Sequence, residues 1–461
     1  MFPVKLLDEQ IAGVLPPGSL FAVGGRVRDE IRQGSEGIQI PHKDLDYVVS
    51  GISFAELRRR LEPLGQVDLV GASFAVIKLT LEGITVDLAL PRRERSLGVG
   101  HREFEIESGP DISLEDDLAR RDFRMNMVAR ALPGGELVDP YGGVTDIRAR
   151  RIDILTPVAF QEDPLRILRA AQFAARFGYE VTPRTKGAMA EAAPSVATVS
   201  PERIGEELTK LLGRAPKPSL GLEILRETGV LKHLWPELLE GVGVDQNEWH
   251  AYDVYQHTLE TVNATPPGDL MLRLAALFHD VGKPRVKDGP HFYRHEHVGE
   301  GLVRSMLSRF RFSNEIVGGV AHLVRQHMYG SEPDLTDAAI RRFIRRIGPE
   351  YLERQFALRA ADVVGSGLPK RGTLNEQFQK RVWEEVARKP AFSVKDVRIT
   401  GTEIIEAMIQ HGLAEPGFRG DQRVGAALGW LFEKVTDRPD LNEPNTLQGL
   451  LGAYLTNKPE N

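Results

Sequence analysis

The chain contains no cysteine. Disulfides and thiolate metal sites are thereby excluded, and nothing favours an oxidising compartment. Nor is there an excess of basic residues: 59 Lys and Arg stand against 65 Asp and Glu, for a formal net charge of −6. The chain as a whole is therefore not a basic nucleic-acid binder, and any surface for a nucleic acid must be a local patch. No apolar run approaches the ~20 residues of a membrane-spanning helix, and Lys5, Asp8 and Glu9 interrupt any signal-peptide pattern. Internal repeats and long low-complexity tracts are missing. What remains is 41% hydrophobic and 27% charged, the composition of a globular protein, for which the cytoplasm is the default expectation. Its 461 residues suggest about three domains.

The rest of the chain is organised around Phe21–Gly51. Apolar Leu20–Val23 predicts a strand. Gly24-Gly25 follow, where backbone can approach a phosphate closely, and Arg26, Arg28 and Asp29 open a helix. Asp44 and Asp46 bracket Leu45 ahead of a second strand, Tyr47–Val49. Residues i and i+2 of a strand share a face, so the two carboxylates are placed to hold metal ions side by side. Carboxylates suit Mg²⁺, and paired metals suit in-line displacement at phosphorus. Taken singly, each motif is an ordinary glycine turn or an exposed Asp-x-Asp. Together they point to a nucleoside-triphosphate enzyme.

Phe54–Leu64 has helical spacing; Val67–Val70, Ala75–Leu81 and Ile84–Leu90 read as strands, with a turn at Glu82-Gly83. A small mixed sheet with helices, an α+β head, fits residues 1–140. Asp87, on the last of these strands, is either a third carboxylate of the metal site or merely exposed. Pro91–Gly109 reads as a polar, glycine-bearing mobile loop. Ser113 is a candidate N-cap for a helix with Glu115, Asp116 and Asp117 in its first turn and Arg120, Arg121 and Asp122 midway along it. Arg121 suits triphosphate oxygens; the alternative is a solvated face, which the apolar Phe123, Met125 and Met127 weaken.

Asp139–Gly143 is a turn cluster and a domain boundary, beyond which the chain turns helical. A helix is expected from Phe160 to Phe177, stopped by Gly178. On it Asp163 and Arg166, three apart, share a face. Cytosine and adenine both present an amino donor beside a ring-nitrogen acceptor, which an Asp and an Arg match; guanine and uracil present a carbonyl and an N–H. This pair can select C and A, or it is an ordinary salt bridge. Pro201–Leu212 is a further helix, closing a helical segment 141–215 for nucleotide base recognition. Gly213–Pro218 reads as a linker.

Nine of the twelve histidines lie between His233 and His327. His257 stands on a helix; His279-Asp280 ends the apolar helix Met271–Phe278; His295, His297, His322 and His327 follow, and then Asp362. Imidazole with carboxylate suits a divalent transition metal, and metal-bound water suits phosphate-ester hydrolysis. A structural, metal-free histidine cluster is the alternative. Residues 216–370 thus form a helical body, and 371–461 an appended helical tail with basic helices.

The chain resembles class II tRNA nucleotidyltransferases, the CCA-adding enzymes and their poly(A) polymerase relatives, of the bacterial type with a fused HD phosphohydrolase domain. The carriers are GGRVRD (24–29), DLDYVV (44–49), EDDLARRDFRMN (115–126), EDPLRILR (162–169), ERIGEELTKLL (202–212) and HDVGKP (279–284), six motifs in family order. The resemblance implies a head, neck, body and tail, with Mg²⁺ on Asp44 and Asp46 of the head. It further implies that Gly25, Arg28 and Arg121 hold the incoming ATP or CTP, that Asp163 and Arg166 pair with its base, and that Arg169 helps hold the nucleotide. The stretch Arg92–Phe104 lies where the family has a flexible loop linked to the switch from C to A. In the body, a site on His257, His279, Asp280 and Asp362 is expected to take Ni²⁺, Co²⁺ or Mn²⁺. Gln172 departs from the pattern of relatives that place a further nucleotide-contacting arginine there.

The implied reaction is template-independent addition of C, C and A to the 3′ end of tRNA, from CTP and ATP with release of pyrophosphate. Hydrolysis of phosphomonoesters or 2′,3′-cyclic phosphates in the body is an additional expectation, in a monomer or homodimer without a membrane partner. An A-adding or CC-adding enzyme and a poly(A) polymerase are the narrower alternatives; the length of the Arg92–Gly109 stretch disfavours CC addition alone. An HD phosphohydrolase with a tRNA-binding head is a further one, disfavoured by the intact Asp44/Asp46 pair.

Overall fold

The computed structural model describes residues 4–40, 45–70, 76–96, 104–330, 334–369 and 374–456. They form two compact units. One comprises residues 1–240 with 266–270 and 306–312; the other comprises 241–265, 271–305 and 313–461.

The first unit opens with helix α1 (Val4–Val14), strand β1 (Leu20–Val23), helix α2 (Gly25–Glu36) and strand β2 (Asp46–Val49). Helix α3 (Phe54–Leu61) leads into β3 (Gln66–Val70), β4 (Val76–Leu81) and β5 (Ile84–Ala89). With β8 (Ala129–Ala131) and β9 (Leu137–Val138) these build a seven-stranded sheet in the order β3-β4-β5-β2-β1-β8-β9. Only β2 and β5 run parallel; the other pairs are antiparallel. The expected α+β head with a mixed sheet is what forms. The alternation of β4, with Ile77, Leu79 and Leu81 inward, fits a sheet with one face packed. That face carries the core, with Leu7 and Ile11 of α1 and Leu57 and Leu61 of α3 packed on Ala22, Tyr47, Leu79 and Leu88. A buried polar group is set into it: Asp8 accepts from Arg26 at 2.9 and 2.5 Å and from the Tyr47 hydroxyl at 2.6 Å. Because buried polar groups need partners, this trio fixes the position of α2 against β2, the two elements that flank the site.

Three local expectations are corrected. The stretch after Pro91 is not all loop: Arg92–Ser96 (β6) pairs antiparallel with Phe104–Ser108 (β7), while residues 97–103 between them lie outside the described residues. Ser113 does cap helix α4, accepting from the Asp116 N–H at 3.0 Å, but α4 (Leu114–Ala119) stops before Arg120. Arg120 and Arg121 both turn back onto Asp117, at 2.8 and 2.9 Å. Phe123 is extended, which lets it, Met125 and Met127 bury. The helix expected over Phe160–Phe177 is two helices, α6 (Val158–Glu162) and α7 (Leu165–Phe177), and α5 (Gly143–Arg148) precedes them. Pro164 causes the break. It lacks an N–H and drives the residue before it out of the helical region, and Asp163 has φ −133° and ψ 88°. Helices α8 (Pro183–Ala192), α9 (Pro201–Arg214) and α10 (Pro218–Glu227) follow, with α7 packed against α9 and α10.

The second unit is helical among its described residues. Val254–Asn263 packs on Leu352–Gly365, and one core gathers Tyr329, Phe343, Phe356 and Phe378. A second core forms within the last ~70 residues, around Ile404, Met408, Leu431, Leu447 and Leu451. No helix among the described residues is long and apolar enough to cross a membrane.

Candidate active sites

The head site grows from the β1–α2 turn. Gly24 has φ +69°, a backbone region open to glycine and strained for other residues. A Cβ there would also lie 2.9 Å from Nη1 of Arg121 and 3.9 Å from Oδ2 of Asp46. Glycine therefore admits both side chains to the turn, beside the first N–H groups of α2, where a helix end favours anions. The turn opens on a cavity of about 930 Å³ that holds Gly25, Arg28, Asp46, Arg121, Asp163, Arg166 and Arg169 in one lining. Nine arginines and four aspartates line it, so this is the local basic patch that the acidic chain requires for a polyanion.

Most of these side chains are fixed by protein partners. Arg28 is buried; its Nη1 donates to Asn126 at 2.9 Å and its other nitrogens to Asp29. Arg166 donates to the Arg120 carbonyl at 2.7 Å and lies 3.9 Å from Asp163. Asp163, whose carboxylate accepts from the Leu165 N–H at 3.1 Å where α7 begins, also faces Arg203 of α9 at 3.7 Å. Arg169 donates to Asp122. Burial alone would raise the Asp122 carboxyl, but Arg169 and the Asn126 amide hold it below the ordinary range. Burial likewise works against the ionised Asp117, and Arg121 and Arg120 outweigh it.

Asp44 lies outside the described residues. Asp87 stands in register beside Asp46 across the parallel β2–β5 pair, 3.6 Å from Lys78, and is not in the cavity lining. Gln172 is buried and also outside the lining, so its departure from the expected arginine does not open into the cavity. Arg176, Arg214 and Phe173 line the cavity and had no sequence signal beyond their helical spacing; Arg203, also in the lining, stands in the ERIGEELTKLL motif but carried no assigned role. Only the packing of α7 against α9 turns them to one side.

The second site lies in the helical unit. Nε2 of His257 is 3.0 Å from Nε2 of His279, 3.3 Å from Asp280 and 3.2 Å from Asp362. His279 and Asp280 are 3.1 Å apart. The four expected donors thus converge, with His257, His279 and Asp280 essentially inaccessible to water. His250, His295 and His327 join them. His297 and His322 do not: His297 faces Glu296, and His322 meets the Ile347 carbonyl at 2.6 Å. Burial opposes the charged form of His257, but Asp280 and Asp362 carry it up to about 9. Burial, Lys283 and His257 press His250 down to about 4. Two carboxylates and two imidazoles converging in a buried place fit a divalent transition metal, which replaces those protons.

Fold and sites define a class: a nucleotidyltransferase-type head joined to an HD-type helical unit. Family models agree. The poly A polymerase head domain matches residues 20–153, the probable RNA and SrmB-binding site of polymerase A matches 178–241, and the HD domain matches 250–364. The chain is 35% identical over 340 residues to the multifunctional CCA protein of Xanthomonas campestris pv. campestris strain B100, covering 71% of this chain and 79% of the relative. It is 35% identical over 369 residues to that of Nitrosococcus oceani, covering 76% and 86%. The chain belongs to this family of multifunctional CCA proteins, within the poly(A) polymerase-type tRNA nucleotidyltransferases. Its fold is that of the Bacillus stearothermophilus CCA-adding enzyme solved with CTP, at TM-score 0.65, 21% identity and 98% and 96% coverage. The Thermotoga maritima CCA-adding enzyme complexed with tRNA gives 0.55, 18%, 99% and 96%.

Proposed function

We propose that the protein adds C, C and A to the 3′ end of tRNA, consuming CTP and ATP and releasing pyrophosphate, and that its His-Asp site hydrolyses phosphate esters. The observation that carries the first activity is the shared lining of one cavity. It joins the carboxylate and glycine turn at Asp46 and Gly24 to the Asp163/Arg166 pair, so one nucleotide spans from its phosphates to its base.

The tRNA 3′ hydroxyl attacks the α-phosphorus; the new P–O bond forms as the bond to the bridging oxygen of pyrophosphate breaks. Asp46, with Asp44 beside it in sequence, would hold Mg²⁺, and Asp87 is the neighbouring carboxylate in register. Oxygen donors fit that ion. When bound it neutralises the triphosphate and favours the attacking and leaving oxygens. Gly25 brings backbone to the phosphates, Arg121 reaches over Gly24 to them, and Arg28 and Arg169 stiffen the wall. Asp163 accepts from the exocyclic amino group of C or A, and Arg166 donates to the ring nitrogen. A guanidinium has five N–H groups; the bond to the Arg120 carbonyl uses one and holds the plane. In the second site His257, His279, Asp280 and Asp362 would hold Ni²⁺, Co²⁺ or Mn²⁺ for hydrolysis of phosphomonoesters or 2′,3′-cyclic phosphates.

The test is incubation of purified protein with tRNA ending at the discriminator base. CTP alone is expected to add C, and CTP with ATP to complete CCA. Addition of A only to a tRNA already ending in CC would mark an A-adding enzyme, and no incorporation would end the proposal.

A further inference from the structure

Of the nine arginines that line the head cavity, seven have a carboxylate within 3.9 Å. Arg176 and Arg214 have neither an ion pair nor a hydrogen bond among the described residues. The excess positive charge of the cavity is therefore concentrated at these two side chains. Arg176 is in the last turn of α7 and Arg214 in the last turn of α9. The helix dipole favours a cation at either end, which alone would account for two solvated arginines. It does not account for both of them lining one cavity.

Helix packing does. Asp163 meets Arg203 at 3.7 Å where α7 and α9 begin, and Arg169 meets Glu207 at 3.9 Å further on, so the two helices run side by side in the same direction. Arg176 and Arg214 each follow that second contact by seven residues, two helical turns, and come together at the far end. On α7, Arg166, Arg169, Phe173 and Arg176 recur at spacings of three, four and three, which is one face of a helix, and all four line the cavity. At 1.5 Å per residue Arg176 stands ~15 Å along the axis from Arg166, away from the pair proposed to read the base.

The surroundings of Arg176 lead back to the glycine turn. A Cβ on Gly25 would lie 3.5 Å from Nη2 of Arg28. The Arg28 guanidinium packs on the rings of Phe173 and Phe177, 5.3 and 4.8 Å from their centres, and that of Arg176 lies 5.3 Å from the Phe177 ring. Burial holds the Arg176 guanidinium below its ordinary value, and Arg28 and Arg214 add to this; Asp29, the acid that opposes them, is itself bonded to Arg28. An anion beside Arg176 removes that repulsion. A guanidinium fork matches the oxygens of a phosphate, and two forks suit a terminal phosphate, which has more free oxygens than a diester.

We propose that Arg176 and Arg214 form a subsite for the terminal phosphates of the incoming nucleotide, the part that leaves as pyrophosphate. This rests on the reading of the cavity as a nucleoside-triphosphate site. The cavity then holds a triphosphate by its leaving group, and a nucleoside monophosphate gains nothing from the subsite.

The test is titration calorimetry of the full chain with CTP, pyrophosphate and CMP in Mg²⁺, together with steady-state kinetics on tRNA ending at the discriminator base. In Arg176→Gln and Arg214→Gln the Kd for CTP and for pyrophosphate is expected to rise about 10-fold, with the Kd for CMP and the KM for tRNA unchanged. Arg176→Lys, which keeps the charge without the fork, is expected to recover part of the affinity for pyrophosphate. A KM for tRNA that rises while pyrophosphate binds as in wild type would give the subsite to a backbone phosphate of the RNA and overturn the proposal. Equal losses for CTP and CMP would mean that the arginines act only on the shape of the cavity, and unchanged affinities would mean that they touch no phosphate; either result also overturns it. Wild type that binds none of the three ligands would instead overturn the reading of the cavity as a nucleotide site.

Discussion

Arg169 on α7 donates to Asp122 Oδ2 through Nε at 2.8 Å, and its Nη2 lies 2.6 Å from the same oxygen. This pair ties the helix that follows Asp163, the proposed base reader, to the stretch that sends Arg121 over Gly24, so the two ends of the cavity are held at one spacing. Asp122→Asn is expected to raise KM for CTP and ATP by about 10-fold, with a smaller effect on kcat. The loosened ion pair is of order 1–3 kcal/mol, and the proposed metal carboxylate Asp46 is untouched. Steady-state kinetics on tRNA ending in CC check this; a loss confined to kcat would place Asp122 in the chemical step.

The same carboxylates make the first unit sensitive to acid. Asp117 and Asp122 are both held below the ordinary range by their arginines, against the cost of burial. A lowered folded value means that the stabilisation is fully present above the unfolded value of ~3.9 and is lost as pH falls through the folded value. Thermal unfolding should therefore be nearly flat from pH 7 to 5 and fall below about pH 4. In Asp122→Asn the acid-dependent loss should be smaller. An unchanged slope in that variant would remove Asp122 from the account.

Arg166 should govern base choice. Arg166→Ala leaves the ring acceptor of C or A unpaired, a loss of order 1–3 kcal/mol, about 10- to 100-fold in kcat/KM. Discrimination against UTP and GTP should weaken in parallel. Full selectivity in this variant, measured with the four nucleotides in separate reactions, would mean that another group reads the base; Arg203, 3.7 Å from Asp163, is the next candidate.

The two chemistries should separate by mutation because their residues lie in different compact units. Asp46→Ala is expected to lower nucleotide addition by orders of magnitude and keep hydrolysis of 2′,3′-cyclic AMP. Asp280→Ala should do the reverse. Ni²⁺, Co²⁺ or Mn²⁺ should stimulate the hydrolysis more than Mg²⁺, since neutral imidazoles prefer later metals, and chelation should abolish it. A wild-type protein without metal-stimulated hydrolysis would make the histidines structural.

The sequence by itself determined the strand Leu20–Val23, the glycine turn, the β4–β5 hairpin, the Ser113 cap and the His-Asp dyad. Each is a local choice: periodicity, a turn that needs glycine, or a cap that needs an oxygen acceptor. Local reasoning failed where burial outbid propensity. Arg120–Asp122 left the expected helix because Asp117 collects two arginines and Phe123 must reach the core. Asp163 left its helix because Pro164 drives the residue before it out of the helical region. Only the tertiary structure decided that Asp87 pairs in register with Asp46, that Arg176, Arg203 and Arg214 face one cavity, and that Gln172 does not. The same holds for His295 and His327, which converge on Asp280 while His297 and His322 turn elsewhere. Spacing along a chain places residues on a face of one helix or strand. Which faces meet is set by packing between elements distant in sequence, and these sites are built at such meetings.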